Sequence, residues 1–126
     1  MPKLIPFLLL ISAIAQAETV FFSVDGKKTE FYRDAGRHFM ISKDCVKKGD
    51  ALRCDAYQAL SKASLRGQTL KGGANPGAVI CSRGLGRDVV VGKDEQENEN
   101  SFCRFSDGSL VSSGSLTYYA HKNDKN

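Results

Sequence analysis

Four cysteines, Cys45, Cys54, Cys81 and Cys103, constrain the fold of this 126-residue chain more than any other feature. An even number of cysteines in a short exported chain indicates a disulfide framework. Four cysteines allow three pairings. We favour Cys45–Cys54 with Cys81–Cys103, because each bond closes a short local loop. Loops of this size stabilise a fold by about 3 kcal/mol each in the chain-entropy model.

The N terminus predicts export. Residues 1–17 place Lys3 before an apolar run at 4–14, and the small residues Ala15 and Ala17 complete the pattern of a signal-peptide cleavage site. The apolar run is too short for a transmembrane span. No cysteine follows the cleavage site, so a lipid anchor is not expected. We predict a bacterial protein that is periplasmic or secreted and begins at Glu18.

Cysteine spacing argues against the alternative of a metal site. Zinc ligands usually come in closely spaced pairs of cysteines. Here eight residues separate Cys45 from Cys54, and 21 separate Cys81 from Cys103. We therefore predict no metal and no cofactor.

The exported chain divides into two segments that differ in their predicted secondary structure and glycine content. Residues 18–66 are β-rich with one helix, residues 67–120 hold most of the glycines, and residues 121–126 form a predicted flexible tail. The predicted strands are 19–24, 29–33, 38–42, 88–92, 101–105, 110–113 and 116–120, and the predicted helices are 56–63, with Asp55 as its cap, and 75–84. The resulting fold class is α+β, a small disulfide-braced domain with an antiparallel sheet and two short helices.

Residues 75–119 contain an ordered series of motifs. These are NPGAVIC at 75–81, GLG at 84–86, DVVV at 88–91, FCRF at 102–105 and DGS at 107–109. In this order and spacing they resemble a small exported bacterial domain of unknown function whose members carry a hemolysin label. The family pattern has a cysteine where this chain has Val111, and a tryptophan near Gly114 that is missing here. The resemblance implies a fold for the second segment and no activity. Lysis would need a long amphipathic or spanning apolar segment, which residues 18–126 lack.

Catalytic residues are not predicted from the sequence. A hydrolase needs a nucleophile, a base and an orienting group. His121 lies in the predicted tail, and His38 at the start of an apolar run is better explained as a hydrogen-bonded structural histidine. The acids at 94–99 resemble a solvated turn.

Arg83 and Arg87 flank a glycine-rich corner and are candidate anion-binding residues. The alternative is an ordinary helix end, where a glycine stops the helix beside a cation. Tyr118 and Tyr119 are adjacent, so on a strand one would pack inward and the other would stay available for contact. The net charge of +4, reduced by one when Lys3 is removed, is too small for nucleic-acid binding and favours anionic envelope components or an acidic partner protein.

The sequence therefore predicts a non-catalytic binding or accessory protein of the periplasm or envelope. Two alternatives stay open. One is a small periplasmic hydrolase in which His38 meets a serine or a carboxylate. The other is an inhibitor of an envelope enzyme that uses the loop at 93–100.

Overall fold

The computed structural model describes residues 17–125. The predicted signal peptide lies outside these residues, apart from Ala17 at the start of the first strand. The strands are β1 (Ala17–Val24), β2 (Lys27–Asp34), β3 (Phe39–Ser42), β4 (Asp88–Lys93), β5 (Glu99–Arg104) and β6 (Leu110–Ser112). The helices are α1 (Asp55–Ala59), α2 (Pro76–Val79) with a π-helical turn at Ile80–Gly84, and α3 (Ser113–Asp124); short 3-10 turns lie at Lys43–Cys45 and Lys48–Asp50.

The six strands form a closed antiparallel barrel in the order β1–β2–β3–β6–β5–β4. The prediction of an α+β domain is therefore wrong, because the fold is mainly β. Strands of the first segment join those of the second at two seams. Ile41 of β3 pairs with Val111 of β6, and Ser23 and Val24 of β1 pair with Lys93 and Gly92 of β4. Such pairings between distant residues leave no local pattern in the sequence.

Gly92 permits the second seam to close. A Cβ atom at this position would lie 2.9 Å from Cε2 of Phe102 and 3.0 Å from Cγ2 of Val24. Both distances are shorter than ordinary van der Waals contacts. The absence of a side chain thus allows β4 to approach β1 over the aromatic interior.

The barrel wall is covered on both faces. Inside, the buried side chains are Val24, Phe31, Met40, Phe102 and Leu110. Outside, the helices pack on β3, β5 and β6 through a second cluster that includes Ile41, Ile80, Cys103, Val111 and Leu116. The second cluster contains residues from both predicted segments, so the helices and the barrel share one apolar layer.

Both predicted disulfides are present. Cys45–Cys54 closes the loop that precedes α1, and Cys81–Cys103 joins the π-helical turn after α2 to β5. Cys54 also caps α1, since its Sγ accepts a hydrogen bond from the Tyr57 backbone N–H at 3.2 Å. The prediction of Asp55 as the cap is therefore wrong. Asn75 caps α2, because its Oδ1 accepts from the Ala78 N–H at 3.2 Å, so the helix begins where the sequence predicted it.

The C-terminal segment is helical, where a strand at 116–120 and a flexible tail at 121–126 were predicted. Ser112 caps α3 by accepting from the Ser115 N–H at 3.1 Å. Leu116 and Ala120, four residues apart, are both fully buried on one face of the helix. The β-favouring residues between them concealed this helical spacing. Within residues 17–125, no helix is long and apolar enough to cross a membrane.

Candidate functional site

A groove with a volume of about 580 Å³ lies between α1 and the second half of α3. We call it the tyrosine groove. Its walls are Tyr57, Gln58, Leu60, Ser61, Lys62, Tyr119, Lys122 and Asn123. Leu60 is buried and forms an apolar floor, while Lys62 and Lys122 are exposed at the rim. The groove thus combines aromatic rings, side-chain amides and cations.

Hydrogen bonds fix the two walls to each other. Nδ2 of Asn123 donates to the backbone oxygens of Leu60 and Ala63, both at 2.9 Å. The carboxylate of Asp124 accepts from the Ser64 hydroxyl at 2.7 Å and from the Leu65 N–H at 2.8 Å. These contacts hold the end of α3 against the segment that follows α1, so the groove is formed before any ligand arrives.

Tyr119 connects the groove to the turn between β2 and β3. Its hydroxyl donates to the backbone oxygen of Arg37 at 2.6 Å. Burial raises the pKa of Tyr119, and the neighbouring hydroxyls of Tyr57 and Tyr118 raise it further. The phenol therefore stays protonated at neutral pH and keeps its role as a donor.

The turn itself depends on Asp34. Its carboxylate, only 5% exposed, accepts from Nε of Arg37 at 2.5 Å and from the Arg37 N–H at 3.0 Å. Burial alone would raise the pKa of Asp34, but the hydrogen bonds and the charge of Arg37 outweigh it and hold that pKa below its ordinary value. The ionised carboxylate thus stabilises the turn that carries the acceptor of Tyr119.

Replacing Asp34 with asparagine is expected to lower the free energy of unfolding by about 1.5 kcal/mol at neutral pH. A lowered pKa in the folded state contributes stability above the unfolded value of about 4, and this contribution is lost as the pH falls through the folded value. The difference between wild type and variant should therefore shrink below about pH 4. Urea denaturation from neutral to acid pH measures it. A constant difference, or an equal effect of Asp44→Asn at an exposed position, would contradict this role.

His38 makes a different contact from the predicted one. Its ring is exposed and stacks on Tyr118 at 4.1 Å between centroids, and in residues 17–125 it has no hydrogen bond to a serine or a carboxylate. His38, Ser112 and Ser115 line one depression of about 350 Å³. The two serine hydroxyls are hydrogen-bonded to each other at 2.6 Å. Ser115 Oγ also accepts from the Met40 N–H. The hydrolase hypothesis required His38 to meet a serine or a carboxylate. His38 shares this depression with Ser112, Ser115 and Asp34 but makes no hydrogen bond to any of them within residues 17–125, so the hypothesis stays a prediction.

The two candidate anion-binding arginines differ in whether they line a depression. Arg87 lines a polar depression of about 310 Å³ on the other side of α1, whereas Arg83 lines none of the depressions described here. Both arginines are exposed. Of Arg83 and Arg87, it is Arg87 that lines one of the depressions described here.

The acidic loop at 93–100 is a hydrogen-bonded turn. Oδ1 of Asp94 accepts from the backbone N–H groups of Gln96 and Asn98, both at 2.9 Å. Lys93 pairs with Glu99 at 4.0 Å across the end of the hairpin. This arrangement agrees with the interpretation of the loop as a solvated turn.

The cations of the tyrosine groove were missed in the sequence. Lys122 lies 5.5 Å from the centre of the Tyr119 ring, and within the described part of the chain neither Lys62 nor Lys122 has a carboxylate partner. Their positions 60 residues apart give no local signal. Tyr118 is 40% exposed and Tyr119 is half-buried, as alternation predicted, but the cause is their place on a helix.

Neither a metal site nor a related protein helps to identify the groove. Residues 17–125 contain no group of three or more His, Cys, Asp or Glu side chains that could hold a metal ion. All four cysteines are in disulfides. Comparison of the chain with family models, curated proteins and solved structures found no match.

Proposed function

We propose that this chain is an exported, non-catalytic binding protein of the bacterial periplasm or envelope, and that its tyrosine groove holds an acidic segment of a partner protein. The observation that carries the proposal is a pair of lysines, Lys62 and Lys122, that have no carboxylate partner within residues 17–125 and lie on either side of a preformed groove floored by Leu60. Carboxylates of a partner would supply the charges that these two lysines lack within residues 17–125.

The other groove residues suit a polypeptide. Tyrosine is enriched in protein interfaces because it offers a large apolar ring with a polar end. Gln58 is exposed, and its side-chain amide, which has no partner in residues 17–125, can both donate to and accept from a peptide backbone. The groove therefore provides apolar contact, backbone recognition and charge pairing within a single depression.

The proposed location rests on the disulfides together with the predicted signal peptide. Disulfides persist in oxidising compartments such as the periplasm, and both bonds of this protein join cysteines that follow residue 17. The resemblance of residues 75–119 to the exported domain of unknown function stays a prediction and adds no activity.

Binding of octaglutamate tests the proposal. The double variant Lys62→Gln/Lys122→Gln is expected to weaken binding about tenfold, because two partly exposed charge pairs contribute about 0.2–1 kcal/mol each. Isothermal titration of the protein at low ionic strength measures this, since screening reduces such pairs in salt.

The matched control is Lys27→Gln/Lys48→Gln. It removes the same charge from two exposed lysines outside the groove. We expect it to leave binding of octaglutamate within twofold of wild type. If both double variants weakened binding equally, attraction to the overall charge would explain the result and the groove would not be the site.

A further inference from the structure

The tyrosine groove continues around α1 into the polar depression that contains Arg87. The two cavities share Gln58 and Lys62. The polar depression is also lined by Asp55, Ala59, Gly84, Leu85, Arg87 and Phe105. Lys62 thus lines both cavities, whereas Lys122 lines only the tyrosine groove and Arg87 only the polar depression.

The backbone of Arg87 is anchored by a hydrogen bond. Its N–H donates to the Cys81 carbonyl at 2.9 Å, so the residue is anchored beside the Cys81–Cys103 disulfide. Gly86, with φ of +65°, turns the chain immediately before it. Within the described residues the guanidinium has no ion pair. Arg87 is therefore an exposed cation on an anchored backbone, with no counter-charge within residues 17–125.

One acid lines the polar depression. The carboxylate of Asp55 accepts a hydrogen bond of 3.4 Å from the Ser106 hydroxyl, and its backbone N–H donates to Asp107 at 2.9 Å. A negative charge here repels ligand carboxylates from the α1 side of the depression. It leaves Lys62 and Arg87 as the positions where an anionic group can be held.

We infer that the acidic segment is long enough to cross α1, with carboxylates at Lys122, Lys62 and Arg87 in turn. The inference rests on the proposed function, and it adds the length of the ligand and its path over the surface. A short acidic peptide would occupy the tyrosine groove alone. A longer one would gain a third charge pair, and bidentate pairing with a carboxylate suits the planar guanidinium of Arg87.

Peptides of two lengths distinguish these cases. Extended triglutamate spans about 10 Å and octaglutamate about 27 Å. Arg87→Gln is expected to weaken octaglutamate binding about threefold and to leave triglutamate binding unchanged. In NMR titrations of the wild type, the backbone amides at 84–87 should shift with octaglutamate and not with triglutamate. Arg83→Gln is the control, since it removes an exposed arginine of the same segment that lines neither cavity.

The alternative outcomes separate this inference from the proposed function. If Arg87→Gln had no effect on octaglutamate while Lys62→Gln/Lys122→Gln still weakened it, the crossing would be wrong and the groove would stand. Equal effects of Arg83→Gln and Arg87→Gln, or equal effects of Arg87→Gln on both peptides, would also overturn the crossing. If neither peptide bound to the wild type, the proposed function and the inference would fail together.

Discussion

Replacing Phe102 with alanine is expected to lower the free energy of unfolding by about 3–5 kcal/mol, the range found for large aromatic side chains in protein cores. The Phe102 ring is fully buried inside the barrel. It stacks on Phe31 at 4.5 Å and meets the edge of Phe22 at 5.1 Å, so its removal leaves a cavity between three strands. Denaturation in guanidinium chloride with the disulfides intact measures the effect.

Phe21 provides the matched control. It lies on β1 next to Phe22, but its side chain is 38% exposed and has the Lys28 ammonium 4.5 Å above the ring. The variant Phe21→Ala is expected to lower the free energy of unfolding by less than about 1 kcal/mol, since the partly exposed ring buries little apolar area. Similar losses of unfolding free energy for Phe102→Ala and Phe21→Ala would show that burial inside the barrel is not the source of the contribution of Phe102.

Removing the Cys81–Cys103 disulfide has the second large expected effect. The variant Cys81→Ala/Cys103→Ala should lose about 3.4 kcal/mol, because the bond closes a loop with a sequence separation of 22. Both cysteines are fully buried, and the bond fixes the turn after α2 to β5. Thermal denaturation followed by circular dichroism, without reductant, tests this expectation.

The Cys45–Cys54 bond gives an internal comparison. It closes a shorter loop, with a separation of nine, and its removal is expected to cost about 2.6 kcal/mol from chain entropy. Cys54→Ala also removes the Sγ that caps α1, which carries Tyr57 of the groove. This variant should therefore weaken octaglutamate binding as well. The lost cap adds to the cost of removing Cys45–Cys54, so loop length is tested by the value for Cys81→Ala/Cys103→Ala itself. A loss below about 2.6 kcal/mol, the value for the shorter loop, would show that loop length does not govern the stability of this fold.

Local signals predicted much of the secondary structure correctly. Asp25 and Gly26 adopt positive φ values of 53° and 76° and turn β1 into β2, as the Asp-Gly pair indicates. Asn75 and Pro76 begin α2, because the Asn75 side chain caps the helix and Pro76 stands in its first turn. Both signals lie within four consecutive residues. The helix α3 was missed because Ser112 is a cap only if the chain turns there, and Thr117, Tyr118 and Tyr119 favour a strand when read alone.

Little of the tyrosine groove could be read from the sequence. The sequence predicted that one of Tyr118 and Tyr119 would be available for contact, and it gave Arg87, together with Arg83, as a candidate for anion binding. Lys62 and Lys122 were not predicted as site residues, since an exposed lysine carries no indication of whether a carboxylate will lie beside it. Only the packing of α3 against the segment after α1, held by Asn123 and Asp124, decides that.

The sequence favoured the pairing Cys45–Cys54 with Cys81–Cys103, which the structure contains, and it located several short-range turns, because those interactions join residues close in the chain. The tertiary structure alone decided the closed barrel, the helical C terminus and the groove. Barrel closure depends on single contacts such as Ile41 with Val111, which are 70 residues apart and become favourable only when the whole sheet curves. The charges of the groove come together for the same reason, since distant residues become neighbours only after the barrel and its outer helices have packed.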